Sequence, residues 1–80
     1  MKLYVGNLPY AVDDSRLREL FGAFGAPLSA TVVIDRAMGR SKGYGFVEMA
    51  DEEARKAIAA LNQSLLDGRT IWVNEARAKG

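Results

Sequence analysis

Lys42-Gly43-Tyr44-Gly45-Phe46-Val47-Glu48-Met49 alternates in character, and the fold follows from that alternation. Gly45, Val47 and Met49 fall on one side of an extended chain, and Lys42, Tyr44, Phe46 and Glu48 fall on the other. A period of two marks a half-buried strand, here Gly43 to Met49. The opposite register would bury Lys42 and Glu48, so the apolar set must face the core. Two aromatic rings then point away from it.

Working outward, Leu28 to Ile34 is rich in β-branched residues and reads as a strand, joined to the first through an Asp35–Ser41 loop that contains Gly39. Before it the period changes. Leu17, Leu20, Phe21 and Phe24 stand at i, i+3, i+4 and i+7, one face of a helix. Asp13 is the N-cap, Asp14 suits the first turn, and Gly25 followed by Pro27 is a stop. Lys2 to Gly6 alternates as a strand and ends in the turn residues Asn7-Leu8-Pro9. On the other side, Asp51 caps a second helix whose stripe is Ala54, Ala57, Ile58 and Leu61. A connection from Asn62 to Arg69 carries the turn pair Asp67-Gly68, and Thr70 to Glu75 is the last strand. The order βαββαβ predicts an α+β, ferredoxin-like fold: a four-stranded antiparallel sheet with both helices packed on one face. The stretch 1–80 reads as a single domain.

Two helices cover one face of such a sheet and leave the other to water, where polar residues are expected. In the first strand Leu3 and Val5 point inward, which sends Lys2 and Tyr4 outward. In the last strand Ile71 and Val73 point inward, which sends Thr70, Trp72 and Asn74 outward. Four aromatics, Tyr4, Tyr44, Phe46 and Trp72, therefore share the open face, out of one Trp, three Tyr and three Phe in the chain. Strands favour aromatics, and one exposed ring carries no message. Several on neighbouring strands form a patch, and patches bind. Charge divides along the same line. The helices carry six acids against four bases, whereas the strands, loops and tail carry seven bases (Lys2, Arg36, Arg40, Lys42, Arg69, Arg77, Lys79) against four acids. A net charge of +1 conceals this separation. Rings beside ammonium and guanidinium groups are what single-stranded nucleic acid requires: a π-face for each base and cations for the phosphates.

Composition removes most other classes. The chain has 49% hydrophobic and 26% charged residues, the balance of a globular protein. Without Cys there are no disulfides, thiolate chemistry or zinc ribbons; without His the commonest general base and metal ligand are gone. No apolar run approaches the roughly 20 residues that span a bilayer, and no signal peptide is recognisable, so a cytoplasmic location is expected. No metal, cofactor or small-molecule substrate is implied, and a monomer is expected.

The octamer Lys42–Met49 resembles the octamer motif of the RNA recognition motif (RRM) family at seven of eight positions. Leu3-Tyr4-Val5-Gly6-Asn7-Leu8 is similar to the family's hexamer, and Leu66-Asp67-Gly68-Arg69 with Ile71, Val73 and Ala76 resembles its last strand and exit. Short one-domain bacterial and cyanobacterial relatives, and plant glycine-rich RNA-binding proteins, are similar. The resemblance implies that Tyr4 and Phe46 each stack beneath a base. It implies that Tyr44 packs against sugars or between nucleotides, and that Lys42 meets a phosphate. Arg36 and Arg40, beside the octamer, are candidate phosphate contacts, and Lys2 and Arg77 belong to the same basic side. Asn74, Glu75 and Ala76 lie where relatives read base edges. Tyr10, after Pro9, is expected to pack over the loop. Met49 departs from the family's aromatic and, facing the core, affects packing more than binding. Trp72 is also unusual: it either widens the platform, lids the sheet edge or meets a protein partner.

Stacking contributes about 1–3 kcal/mol per base, so two or three bases supply roughly 2–9 kcal/mol before the strand is ordered. A micromolar complex needs about 8 kcal/mol. The expectation is therefore single-stranded RNA held at roughly micromolar affinity with modest sequence preference. Single-stranded DNA binding, or chaperoning of both nucleic acids, is an alternative. A protein-binding relative is another, although such domains lose the rings that this chain keeps. Catalysis is not expected: acylphosphatases share the topology but need a phosphate-cradling loop with a nearby Arg, and no segment here resembles one.

Overall fold

The structure, a computed structural model describing residues 1–76, has the expected element order with one addition. β1 is Lys2–Gly6, α1 Asp14–Gly22, β2 Ser29–Asp35, β3 Arg40–Glu48 and α2 Asp51–Leu61. Then come a short pair, β4 Leu65–Leu66 and β5 Arg69–Thr70, and finally β6 Trp72–Glu75. The main sheet is four-stranded in the order β2-β3-β1-β6, antiparallel throughout. β1 and β3, which carry the hexamer and octamer, are thus the two central strands. Their register sets Tyr4 opposite Phe46 and Gly6 opposite Tyr44, and β6 sets Asn74 opposite Tyr4 and Trp72 opposite Gly6.

Burial follows the alternation. Leu3, Val5, Val47, Met49, Ile71 and Val73 are fully buried and meet Leu17, Phe21, Ala54, Ala57 and Leu61 from the helices. Leu20, Phe24 and Ile58 pack against this core only partly buried, at the edges of the helical stripes. Leu8 and Val12, on the loop after β1, are core residues as well; no period exists in a loop to announce them. Gly45 is required by contact: a Cβ there would lie 2.5 Å from the Thr31 carbonyl oxygen and 3.2 Å from a Leu17 methyl.

The Asp13 carboxylate caps α1 by accepting from Arg16 N at 2.8 Å. Asp14 reaches across instead, accepting from Val32 N at 2.7 Å where the β2–β3 register shifts. Asp51 does not cap α2. Ala50 holds the N-cap position in extended conformation, without a side-chain bond, and Asp51 is already helical. Its carboxylate, with Glu52 and Glu53, still opposes the helix dipole in the first turn. The Asp35–Ser41 loop is shorter than expected, since Arg40 and Ser41 pair with Asp35 and Ile34. Asp35 closes the turn by accepting from the amides of Ala37 and Met38. The connection after α2 folds into the β4–β5 hairpin, with Asp67 and Gly68 at φ +51 and +81, as a type I′ turn demands. The last strand begins at Trp72 because Ile71 turns its backbone away, exchanging hydrogen bonds with Ser64 and Gln63.

Candidate nucleic-acid interface

The open face presents a cluster of three rings. Tyr4 and Tyr44 have centroids 5.8 Å apart, Tyr4 and Phe46 5.9 Å, and Tyr44 and Phe46 6.2 Å. The last two pairs meet edge to face, at interplanar angles of 64° and 89°. Such pairs each contribute about 0.5–1.5 kcal/mol beyond burial, so the cluster holds its own shape. The sheet dictates this grouping: Tyr4 and Phe46 are direct cross-strand partners, and Tyr44 stands one step along β3 on the same face.

Gly6 completes the arrangement. It lies between Tyr44 and Trp72 in the register, and its outward side is covered by the Tyr4 ring. A Cβ on Gly6 would lie 2.8 Å from Tyr4 Cε2 and 2.9 Å from its hydroxyl. The missing side chain is the seat of the ring. Gly43, at φ +86, makes the other local adjustment: its amide donates to Ser41 Oγ and its carbonyl accepts from Leu8 N at 2.8 Å. That last bond fixes the β1–α1 loop against the start of β3.

Around the rings stand the cations. Lys2 Nζ lies over the Phe46 ring, 4.8 Å from its centroid. Lys42 is exposed beside Tyr44, and Arg40 is exposed two residues earlier on β3. Trp72 is 44% exposed and, with Tyr4 and Tyr44, lines a cleft of about 450 Å³. Asn74 is exposed on β6 across from Tyr4. These eight residues, with Tyr44, Phe46 and Tyr4 at the centre, come together on one surface. Arg36 does not join them closely: it is exposed in the β2–β3 turn and lines neither cleft at this face. Arg77 lies outside the described residues.

Tyr10, expected to pack over its loop, sets one edge of its ring against Gly43, where an added Cβ would lie 3.8 Å from Cε1. It is 60% exposed and lines both clefts, with the guanidinium carbons of Arg40 and Arg69 each 5.8 Å from its ring centroid. Asn7, left-handed at φ +59, joins this group by accepting from Arg69 Nε at 3.1 Å and donating to the Thr70 carbonyl. In the sequence Asn7 reads as a turn residue and Arg69 as part of a general basic side. Their meeting depends on β5 folding back beside the β1 end, which no local pattern encodes.

Comparison with known proteins agrees with this geometry. A family profile described as RNA recognition motif matches residues 3–72. The chain is 55% identical over 76 residues to the 31 kDa ribonucleoprotein, chloroplastic, of Nicotiana sylvestris, covering 94% of this chain and 24% of that protein. The chain spans between about a quarter and a half of the length of the curated relatives it matches. Among solved structures, RNA Binding Protein PG1 superposes with a TM-score of 0.93 at 44% identity, covering 100% of this chain and 98% of that one. A structure described as the Sxl-lethal protein/RNA complex superposes with a TM-score of 0.90 at 31% identity, covering 99% of this chain and 48% of that one.

Proposed function

Since the chain belongs to the RNA recognition motif family, we propose that it binds single-stranded RNA on its open sheet face, without catalysing a reaction. The observation that carries this reading is the cluster of an exposed Tyr4 with the half-buried Tyr44 and Phe46, beside Lys2 and Lys42 on the two central strands. Tyr4 and Phe46 each take a base. Tyr44 packs between neighbouring nucleotides, Trp72 adds a fourth surface, and Asn74 meets base edges. Lys42, Lys2 and Arg40 neutralise phosphates, with Arg36 and Arg77 acting at longer range. The Lys2 ammonium covers Phe46 in the free protein, so a base arriving there displaces it toward the adjoining phosphate.

Because the rings already support one another, little side-chain entropy is lost on binding. Two or three stacked bases still supply only roughly 2–9 kcal/mol, which sets the complex near micromolar with modest sequence preference. The domain acts as a monomer in this reading. Single-stranded DNA offers the same π-faces and phosphates, and nothing in the cluster is dedicated to the 2′-hydroxyl, so DNA is the alternative ligand. The cytoplasmic location expected from the sequence stands as an expectation only, since a close relative carries the chloroplast in its name.

The test is a titration of randomised RNA and DNA octamers, followed by Trp72 fluorescence at two salt concentrations. Parent and Tyr4→Ala/Phe46→Ala proteins are compared. Quenching by RNA in the parent, lost in the double variant and weakened by salt, supports the platform. Contacts to about three or four phosphates give a log–log salt slope near 2–3, at ~0.7 per contact on a single strand. Equal binding by both proteins, or by neither, would sink the reading and leave a protein partner as the better hypothesis.

A further inference from the structure

We propose that the outer edge of β2 is a latent pairing site for the β2 of a second copy of this chain, and that the Asp14 carboxylate is the lock that keeps it closed. The lock works at the rim of the sheet and is independent of what the open face binds.

The outer strands of the main sheet are β2 and β6. A strand in that place offers its outward amides and carbonyls to any other strand. The β6 side is covered by the chain that leaves α2. Gln63 N donates to the Ile71 carbonyl at 2.8 Å, Ile71 N to the Ser64 carbonyl at 2.9 Å, and Val73 N to Asn62 Oδ1 at 3.0 Å. Glu75 adds a charge at the end of that strand.

β2 is built differently. From Ser29 to Ile34 it reads Ser-Ala-Thr-Val-Val-Ile, with no charge and no proline. An uncharged, β-branched run of this length pairs with its own copies when it is left on an edge. The rim is apolar at both ends, since Leu28 just before the run is 74% exposed and Ile34 at its end is 50% exposed. Antiparallel pairing about a twofold axis at Thr31 sets Ala30 of each copy opposite Val32 of the other. It brings the Leu28 end of one beside the Ile34 end of the other, with no like charges opposed. In that arrangement the donor each copy must supply is the Val32 amide.

That donor is taken. Val32 lies opposite Gly45 in the β2–β3 register, yet its amide donates to Asp14 Oδ1 at 2.7 Å and so points off the sheet. Asp14 is not spent on the helix end, because Asp13 caps α1 through Arg16 N. Its carboxylate also sets a negative charge where an incoming strand would bring carbonyl oxygens. The register shift between Val32 and Ile34 then bends the edge beyond this point. A single side-chain bond and a bulge thus do at β2 what a whole segment does at β6.

Sedimentation of the parent, Asp14→Ala, Asp14→Asn and Asp13→Ala from micromolar to millimolar concentration, with amide hydrogen exchange read at Val32, decides between a lock and a merely structural bond. The parent is expected at 8.7 kDa with a slowly exchanging Val32 amide. Asp14→Ala moves with rising concentration to about twice that mass or more. When dilute, its Val32 amide exchanges about tenfold faster or more, through loss of a charge-assisted hydrogen bond, and it slows again on association. Asp14→Asn keeps an oxygen for the amide and stays at 8.7 kDa, as does Asp13→Ala, which loses the helix cap but not the lock. Ile34→Lys added to Asp14→Ala restores the monomer by charging the edge. A parent whose Val32 amide exchanges fast, or which is already associated, overturns the lock without recourse to any variant. Asp14→Ala that keeps the parent's mass at every concentration overturns it as well. Equal association of Asp13→Ala would trace the effect to a weakened α1, and association that leaves Val32 exchanging fast would place the contact elsewhere; either result refutes pairing through β2.

Discussion

Replacing Gly6 with alanine separates binding from folding, because the added methyl meets the far end of a ring rather than backbone. The Cβ would fall 2.8 Å from Tyr4 Cε2, 2.9 Å from its hydroxyl and 3.1 Å from Cζ. Carbon contacts are comfortable at about 3.5–4.0 Å, so the ring must withdraw by roughly 1 Å. Tyr4 can do so by leaving its preferred rotamer, at about 0.5–1.5 kcal/mol. Alternatively it swings away from Tyr44 and Phe46 and forfeits two ring pairs of about 0.5–1.5 kcal/mol each. Gly6 has no left-handed φ, so alanine also restricts the unfolded chain and returns about 0.4–1 kcal/mol. The net destabilisation is thus about 0–2.5 kcal/mol, and the protein stays folded. Binding loses one stacked base, about 1–3 kcal/mol, or roughly 5–150-fold in Kd for an RNA octamer. Gly22→Ala is the control: it sits at the end of α1 with nothing within 4 Å of its Cβ. It should add up to about 1 kcal/mol of stability and leave Kd unchanged. Fluorescence titration and thermal melts read both variants. If Gly6→Ala binds RNA as tightly as the parent, the seated position of Tyr4 is irrelevant to binding and the platform argument fails.

Three further outcomes are expected. Gly45→Ala drives a methyl to 2.5 Å from the Thr31 carbonyl, against backbone that cannot swing aside. It should cost about 1–3 kcal/mol or more in denaturant unfolding, and an unchanged midpoint would show that β2 and β3 are not held this closely. Asp13→Ala removes the α1 cap bond to Arg16 N and should cost about 0.5–2 kcal/mol without altering RNA affinity. Lys42→Gln should weaken binding evenly across RNA sequences and lower the salt slope by about 0.7; a sequence-selective loss would mean that Lys42 reads bases.

What the sequence revealed, and what it hid, divides by the range of the interactions. The outward placement of Tyr4, Tyr44, Phe46 and Trp72 follows from strand period and the burial of Val5, Val47 and Val73, all properties of residues two apart. The α1 cap is equally local. By contrast, Ala50 rather than Asp51 holds the α2 cap position, because the path leaving β3 fixes where helical dihedrals begin. The break at Ile71 comes from its bonds to Ser64 and Gln63, so a β-branched run that reads as one strand is divided between two sheets. Tyr10, Asn7 and Arg69 are brought together by a hairpin whose turn is visible as Asp67-Gly68 but whose docking is not.

Glycine explains why the two faces of one sheet can serve such different ends. At Gly45 the inner face has no room for a methyl, and β3 lies close against β2 and α1 as a result. At Gly6 the outer face keeps a methyl-sized hollow, which the Tyr4 ring fills instead of projecting into solvent. A β-branched residue at Gly6 would satisfy strand propensity better and would expel Tyr4 from the cluster. The open face thus accepts a weaker strand position in return for three rings held in mutual contact, and a flexible RNA strand meets a surface already shaped for its bases.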